Sequence, residues 1–348
     1  MNRRSFLKLA AAAPLCAAYP SAAENGGVKL GIDLFSLRAC KWTPLEAMDY
    51  CAGLGAQVVH FSEPRFLGSL DESNLRAVRE HAGKLGLEVE IGMTSICPSS
   101  KMFQAQDGTA EQQLTRMIGA ANVVGSKIVR AVLGSMEDRH TAPIAQHIEN
   151  TVRVLRAVRS RAMDAHVKIA IENHAGDMQS QELKALIDQA GSDFVGACLD
   201  AGNPLWVLED PQVALNTLAP YVLTSHIRDS AVWRAPDGAE VTWVRMGEGN
   251  VRIADFVRSY LRLCPGRPLS LESIVFGPKL FPYRDPAFWD AYRDIPAWQF
   301  ARFEALAEHG KPRPDAPWER PDEAARERED LEASFAWTKK LLGDEGLQ

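Results

Sequence analysis

Four acidic or imidazole side chains stand at the ends of four successive apolar runs in the second half of the sequence. They are Glu172, Asp200, His226 and Glu272. Carboxylates are rarely buried unless they are paired or bind a metal, and three of them around one point repel each other strongly. A shared divalent cation removes that repulsion. We therefore predict one divalent metal at these four residues, with Mn²⁺ as the first choice and Mg²⁺, Co²⁺ or Zn²⁺ as alternatives.

Such a centre suits proton transfer next to a carbonyl group. A hydroxy-ketone chelates a divalent cation through its two oxygens, and the cation stabilises the enediolate that forms when the neighbouring carbon loses its proton. Glu172 and Glu272 end the fifth and the eighth apolar run, which lets them approach a substrate from two sides. We predict that these two glutamates are catalytic, as general base and general acid.

The elements that must position these residues alternate between strands and helices. Eight runs rich in Val, Ile and Leu are typical of parallel strands buried on both faces. The strands are predicted over 29–35, 57–62, 87–93, 127–133, 167–172, 195–200, 222–227 and 269–275, and the helices over 44–54, 71–85, 110–123, 142–165, 181–189, 211–218 and 253–263. This alternation predicts an α/β fold, a (β/α)8 TIM barrel. A doubly wound sheet is the alternative, but residues 32–37 carry no GxGxxG turn.

Active sites of TIM barrels lie at the carboxyl ends of the strands. All four residues end a strand, so the predicted fold brings them to one mouth of the barrel. A single glutamate at a strand end is more often part of a structural ion pair, and a single histidine is more often a core residue. It is the joint pattern that favours a metal site.

Five stretches around these strand ends resemble the xylose-isomerase-like superfamily of TIM barrels, whose members are labelled sugar phosphate isomerases and epimerases. The stretches are 169–174 (IAIENH), 199–203 (LDAGN), 225–229 (SHIRD), 246–249 (MGEG) and 271–272 (LE). The first half of the chain is similar in topology only. The resemblance implies that the four strand-end residues bind the metal. It also implies that one glutamate removes a proton next to a carbonyl and the other returns a proton on the opposite face.

Further side chains near the predicted mouth are candidates for substrate binding. Arg228 follows strand seven and is predicted to hold substrate oxygens, and the adjacent Asp229 is predicted to orient a metal ligand; a surface ion pair is the alternative for both. His174 lies two residues past the end of strand five. Asn203 stands where several relatives have a histidine. Glu63 ends strand two and is predicted to face the mouth.

The first residues are typical of an export signal rather than of the barrel. The twin-arginine pattern RRSFLK begins at Arg3, an apolar stretch over 9–18 is too short to span a membrane, and small residues precede Glu24. We predict a signal peptide over 1–23, recognised by the twin-arginine export machinery, and a periplasmic or secreted protein without a membrane anchor after cleavage. A helix lying on the barrel is the alternative.

Two further segments complete the predicted organisation. The barrel is predicted over 27–276 and a C-terminal extension packed on it over 277–348. Residues 276–320 are rich in Pro, Trp, Phe and Tyr, and 321–342 is predicted to be a charged helix. The aromatic residues near 281–289 either overhang the site as a lid or serve plain packing or a dimer contact.

Charge and cysteine spacing argue against nucleic-acid binding and against a cysteine-based scaffold. The formal net charge of −6 does not favour a nucleic-acid partner, which usually requires a basic excess or a basic face. The six cysteines form no CxxC pair, so they predict neither a zinc knuckle nor a disulfide framework.

The leading functional prediction is metal-dependent isomerisation or epimerisation of a small carbohydrate. A lyase of the same fold is the first alternative, because β-elimination from 3-keto-glycosides and dehydration of keto-inositols begin with the same proton abstraction. A multi-zinc endonuclease would need a histidine in place of Asn203 and others after strand three, which ends Gly92-Met93-Thr94. A non-catalytic periplasmic sugar-binding protein is the last alternative. The oligomeric state stays open, a homo-oligomer included.

Overall fold

The structure is a computed structural model that describes residues 27–313 and 321–346. The predicted signal segment with its arginine pair lies outside the described residues. The strands are β1 (Leu30–Asp33), β2 (Val58–Phe61), β3 (Glu88–Ser95), β4 (Ile128–Val132), β5 (Lys168–Glu172), β6 (Val195–Asp200), β7 (Val222–His226), β8 (Asp229–Ala235), β9 (Gly238–Val244), β10 (Leu269–Leu271) and β11 (Lys279–Phe281). The α-helices are α1 (Pro44–Leu54), α2 (Glu72–Leu85), α3 (Ala110–Val124), α4 (Ile144–Asp164), α5 (Ser180–Ala190), α6 (Pro211–Leu218), α7 (Ile253–Leu263), α8 (Ala297–His309) and α9 (Glu323–Asp344).

Eight parallel strands form the barrel in the order β10-β1-β2-β3-β4-β5-β6-β7. The remaining seam, between β7 and β10, is closed by the residue after β7. The N–H of Ile227 donates to the carbonyl of Ser270 at 2.7 Å, and the carbonyl of Ile227 accepts from the N–H of Glu272 at 3.2 Å. The predicted (β/α)8 TIM barrel is therefore confirmed.

The helices that follow the first six strands, together with α7, coincide with the seven predicted helices to within two residues at either end. Capping interactions explain where several of these helices begin. At α1, for example, the Thr43 hydroxyl accepts from the N–H of Glu46 at 3.3 Å, and the Glu46 carboxylate accepts from the N–H of Thr43 at 2.8 Å, a reciprocal cap. Each helix then buries one apolar stripe against the strands, as α4 does with Val152, Leu155 and Val158.

A second sheet was not predicted. Strands β8, β9 and β11 form an antiparallel sheet in the order β11-β9-β8, inserted between β7 and α7 and extended by the segment after β10. The barrel strand β10 is correspondingly shorter than the predicted strand over 269–275. Gly238 starts β9 beside β11, where a Cβ would collide with the carbonyl oxygen of Phe281. Only glycine allows the two backbones to approach this closely.

The described part of the C-terminal segment packs on both sheets. In α9, which was predicted over 321–342, Leu331 and Phe335 join the core of the barrel. In α8, which was not predicted, Phe303 is buried with Phe281 and Tyr283 in a separate aromatic cluster, so these two aromatic residues serve plain packing. Among residues 27–313 and 321–346, no helix combines the length and the hydropathy that a membrane span requires.

Candidate metal centre

The four strand-end residues meet at the mouth of the barrel. One ligand atom from each of Glu172, Asp200, His226 and Glu272 lies within 4.8 Å of the corresponding atom of every other member. All four side chains are buried. Parallel strands place their carboxyl ends at one rim, and the register sets Asp200 directly beside His226. The separations are those of ligands around a common cation.

His226 turns one edge of its ring to the glutamates. Its Nδ1 lies 3.1 Å from Oε2 of Glu172 and 3.6 Å from Oε2 of Glu272. Among the described residues, this buried nitrogen has no hydrogen-bond partner. A buried polar atom without a partner is costly, and a cation among these oxygens would satisfy it.

Two buried arginines neutralise part of the charge. Arg130 on β4 holds Oε2 of Glu172 with Nε at 2.6 Å and Nη2 at 2.5 Å. Arg228 holds Oδ2 of Asp200 with Nε at 2.8 Å, and its Nη2 also contacts Glu272. Sequence reasoning missed Arg130. Its position could have indicated a role, because a guanidinium inside the apolar run of β4 requires a buried partner of opposite charge.

The pKa values of the carboxyl groups reflect the competition between burial and these partners. Burial alone would raise the pKa of Glu172, but the charges of Arg130 and His226 hold this pKa well below its ordinary range. Burial raises the pKa of Asp200 to about 6, although Arg228 opposes the shift. A bound cation would favour the ionised form of both groups.

Asp33 and His60 extend the cluster into the barrel and were also missed. Asp33 ends β1 and His60 lies in β2, and each is fully buried beside His226. Burial, with His226 second, lowers the pKa of His60 to about 3, so this ring is neutral. With His226 neutral, as a metal-binding imidazole must be, the four carboxylates of Asp33, Glu172, Asp200 and Glu272 count −4 and the two arginines count +2, which leaves −2. The donor set and this balance both fit one divalent cation.

Three of the predicted substrate-binding residues lie at or beside the cluster. The Nδ2 of Asn203 donates to Oε1 of Glu172 at 3.1 Å, and its own Oδ1 is buried without a partner among the described residues. Arg228 contacts two of the four candidate ligands. His174 is half-buried with Nδ1 at 2.6 Å from the carbonyl oxygen of Gly134. Burial lowers the pKa of His174 to about 4, although the charge of Glu172 opposes the shift.

Two predicted site residues, Glu63 and Asp229, make no hydrogen bond or ion pair with the four candidate ligands within the described part of the chain. Glu63 pairs with Arg65 two residues on. The carboxylate of Asp229 accepts from the N–H groups of Gly247 at 3.0 Å and Gly249 at 2.8 Å. Asp229 thus holds the turn that leads into α7, rather than touching a metal ligand.

Aromatic residues cover one side of the cluster. The guanidinium of Arg228 stacks 4.1 Å from the ring centroid of Trp243 on β9, and Trp243 lies 4.9 Å from the rings of both Trp206 and Phe276. A Cβ at Gly202 would collide with the side chain of Arg228, so glycine makes room for this arrangement. The unpredicted antiparallel sheet therefore forms a wall beside the candidate metal centre.

Known proteins similar to this chain include sugar epimerases and a decarboxylase. The chain is 24% identical over 187 residues to the 3-oxo-isoapionate decarboxylase of Pectobacterium atrosepticum, covering 54% of this chain and 61% of that protein. It spans between half and two thirds of the length of the curated relatives it matches.

Two solved structures share the fold at low identity. The D-psicose 3-epimerase of Clostridium cellulolyticum H10, solved with D-tagatose, matches with a TM-score of 0.55 and 13% identity over 80% of this chain and 96% of that one. A xylose isomerase-like TIM barrel protein of Mycobacterium smegmatis, solved in complex with magnesium, matches with a TM-score of 0.56 and 14% identity over 81% and 97%. At these identities the likeness shows the fold alone.

The match to a family model is broader. The model described as "Xylose isomerase-like TIM barrel" matches residues 46–274, a range that runs from α1 to the segment after β10 and includes all four residues of the candidate metal centre. The chain therefore belongs to the xylose isomerase-like TIM barrel family.

Proposed function

We propose that the protein is a divalent-metal-dependent sugar isomerase or epimerase that transfers a proton next to a carbonyl group. The observation that carries the proposal is the cluster of three carboxylates and one imidazole within 4.8 Å at the barrel mouth. The sugar epimerase among the structural neighbours supports the same class of substrate, a small carbohydrate.

Glu172, Asp200, His226 and Glu272 would hold the metal, with Mn²⁺ as the first choice. When bound, the cation supplies Lewis-acid polarisation of the substrate carbonyl. Because Glu172 and Glu272 extend from β5 and β10, one is suited to remove the proton and the other to return it on the opposite face. The same residues would serve as ligands and as bases, so they act on carbon acids that the polarised carbonyl has already activated.

The neighbouring polar groups would orient the substrate. Arg228 lies between Asp200 and Glu272 with Nη1 buried and unpartnered among the described residues, so it can donate to an oxygen on which negative charge develops. Asn203 offers an unpartnered Oδ1 to a hydroxyl group. His174 lies at the edge of the cluster and would contact the part of the sugar that points outward.

A lyase is the second candidate, and the decarboxylase relative favours it. Loss of a carboxyl group from a 3-oxo acid and removal of a proton next to a carbonyl both leave electrons on the carbon beside that carbonyl. The same Lewis acid stabilises both products. Elimination from a 3-keto-glycoside follows the same course when a leaving group stands one carbon further on.

The deciding experiment incubates the Mn²⁺-loaded protein with ketoses and with 3-keto-glycosides in D₂O. Deuterium gained at carbon in an intact sugar, or in its isomer, is the expected result. Release of the aglycone would favour the lyase, and sugar binding without exchange or cleavage would favour a non-catalytic binding protein.

Two glutamine variants and one control complete the experiment. Glu172→Gln and Glu272→Gln are each expected to abolish exchange. Glu209→Gln changes a buried glutamate that pairs with Ser180, and this variant should retain exchange. Full turnover by Glu172→Gln would contradict the assignment of proton transfer.

We also infer that the chain is exported, on the strength of the RRSFLK pattern at Arg3. The test is fractionation of cells that express the chain with Arg3 and Arg4 both changed to Lys. Retention of this variant in the cytoplasm, with the unchanged chain in the periplasm or medium, is expected. Equal export of both forms would contradict the inference.

A further inference from the structure

The ring of His226 lies between two groups of polar atoms. Its Nδ1 faces the glutamates of the candidate metal centre. On the opposite edge, Nε2 lies 3.0 Å from Nδ1 of His60 and 3.3 Å from Oδ2 of Asp33. The three side chains are fully buried, so each edge of the ring has fixed neighbours.

Asp33 is itself held in place. Its Oδ1 accepts from the N–H of Phe35 at 2.7 Å and from the hydroxyl of Ser62 at 2.9 Å. These two bonds fix the carboxylate plane and aim the other oxygen at His226. That oxygen, Oδ2, has no hydrogen-bond partner among the described residues, and it therefore needs a donor.

A neutral imidazole carries one N–H, and its position is set by what the other nitrogen contacts. With the proton on Nε2, the ring donates toward His60 and Asp33, and Nδ1 keeps its lone pair for a cation. With the proton on Nδ1, the ring would donate to Glu172 at 3.1 Å, but it would have no lone pair left for a cation, and a bare Nε2 would face the carboxylate oxygen of Asp33 at 3.3 Å.

We propose that Asp33 is a positioning residue that, together with His60, fixes His226 with its proton on Nε2 and its Nδ1 lone pair directed at the metal centre. The proposal rests on the proposed function, because it assigns how the imidazole ligand of that centre is prepared. Buried carboxylates that orient a ligating histidine in this way typically change metal affinity by about 10–100-fold.

The first measurement uses the wild-type protein with ¹⁵N-labelled histidine. In the Zn²⁺-loaded protein, the ¹⁵N shifts of His226, assigned from their loss in His226→Gln, are expected to show a protonated Nε2 and a metal-bound Nδ1. On addition of Zn²⁺, the Nδ1 signal should move. A metal-loaded ring whose Nε2 carries no proton would overturn the proposal, whereas ¹⁵N shifts that do not respond to Zn²⁺ would count against the proposed function.

The second measurement compares Mn²⁺ affinity between variants. Asp33→Asn is expected to bind Mn²⁺ about 10–100-fold more weakly, and Ser62→Ala, which removes one bond that orients Asp33, should weaken binding less while keeping the fold. The control is Asp138→Asn, another buried aspartate, whose carboxylate accepts from Ser100 and Lys101 instead. Its Mn²⁺ affinity should be unchanged.

Two outcomes of the titration would overturn the proposal. One is wild-type affinity in both Asp33→Asn and Ser62→Ala while the wild-type protein binds one ion. The other is a second ion per chain that is lost in Asp33→Asn, because Asp33, His60 and His226 would then be ligands of their own cation. Absence of any Mn²⁺ binding in the wild type would instead count against the proposed function.

Discussion

The candidate metal centre concentrates charge on buried side chains, which the chain must balance with partners of opposite charge. Glu172 is fully buried and depends on Arg130, which is itself buried and touches Glu172 from the neighbouring strand. Breaking a buried ion pair from one side leaves an uncompensated charge and costs far more than breaking a surface pair. The arginines therefore stabilise the folded chain, independently of any contact with a substrate.

Replacement of Arg130 by Met should lower the free energy of unfolding of the metal-free protein by about 3–5 kcal/mol, because Glu172 loses its counter-charge. Denaturant titration of the metal-free protein measures this change. The double variant Arg130→Met/Glu172→Gln should recover part of the loss, since the unpaired charge is gone.

Arg159 provides the matched control for this prediction. It pairs with Asp193 on the protein surface, where both side chains are more than two fifths exposed, and Arg159→Met should lower the free energy of unfolding far less than Arg130→Met does. Equal losses in the two single variants would contradict the view that burial makes the difference.

Protonation of Glu209 should make the free energy of unfolding depend on pH, independently of the candidate metal centre. Burial raises the pKa of Glu209 from 4.5 to about 7, although bonds from Ser180 oppose the shift. Between these two values the folded protein keeps a proton that the unfolded chain releases. The free energy of unfolding therefore falls as pH rises from about 4.5 to 7, by roughly 3 kcal/mol from this group.

Denaturant titrations of the wild type and Glu209→Gln at several pH values measure this contribution. The variant lacks the titrating group, so its stability should fall less over the same range. Parallel curves for the two proteins would show that Glu209 titrates normally in the folded state.

At the scale of elements, the antiparallel sheet decides what lies beside the metal centre. Strand β9 carries Trp243, which stacks on Arg228, and β11 pairs with β9 from the far side. The sheet thus links the segment that follows β10 to Arg228, which contacts the candidate ligands Asp200 and Glu272. Its geometry depends on the close approach of β9 and β11 at Gly238.

Gly238→Ala should therefore separate β11 from β9 and lower the free energy of unfolding by about 1–3 kcal/mol, the usual range for overpacking. Thermal or denaturant unfolding measures the change, and if the Mn²⁺-loaded protein has the proposed activity, its KM should also rise as the wall around Trp243 loosens.

The control for Gly238→Ala is Gly83→Ala in α2, where a Cβ would meet no atom within 4 Å. This variant should gain about 0.5–1 kcal/mol from helix propensity. A loss at Gly83 or no effect at Gly238 would contradict the packing argument.

At the scale of the whole molecule, the barrel and the C-terminal helix share one core. Helix α9 also contacts the region after β1 through polar groups, since the N–H of Ala39 donates to Glu327 at 2.8 Å and the hydroxyl of Tyr50 donates to Glu332 at 2.6 Å. Those contacts join the start of the barrel to its end, so a ligand at the mouth should stabilise the described fold as a unit.

Metal loading should raise the stability of the whole protein. At a free Mn²⁺ concentration 100 times Kd, the expected gain is about 2.7 kcal/mol, seen as a higher Tm that EDTA reverses. The variant Asp200→Asn should lose most of this gain, while Asp138→Asn should keep it. A Tm that does not respond to Mn²⁺, Mg²⁺, Co²⁺ or Zn²⁺ would contradict the metal centre.

The sequence by itself determined the barrel and the four strand-end residues. Both follow from local patterns, because apolar runs alternate with amphipathic helices and each of the last four runs leads into one carboxylate or imidazole. Parallel strands must share one rim, so residues that end successive strands meet without further information. The helix over α9 was also predicted from its charged, locally periodic sequence.

Only the tertiary structure decided which other side chains lie beside the four strand-end residues. Arg130, Asp33 and His60 come from strands of the first half, and their partners lie more than 40 positions away or across the barrel. Likewise, Asp229 follows His226 closely, but its carboxylate accepts from the N–H groups of Gly247 and Gly249 on the far side of the β8–β9 hairpin. Strand ends are set by local periodicity, whereas the partner of a buried charge is set by barrel closure and by an inserted sheet whose β9–β11 pairing joins distant parts of the chain.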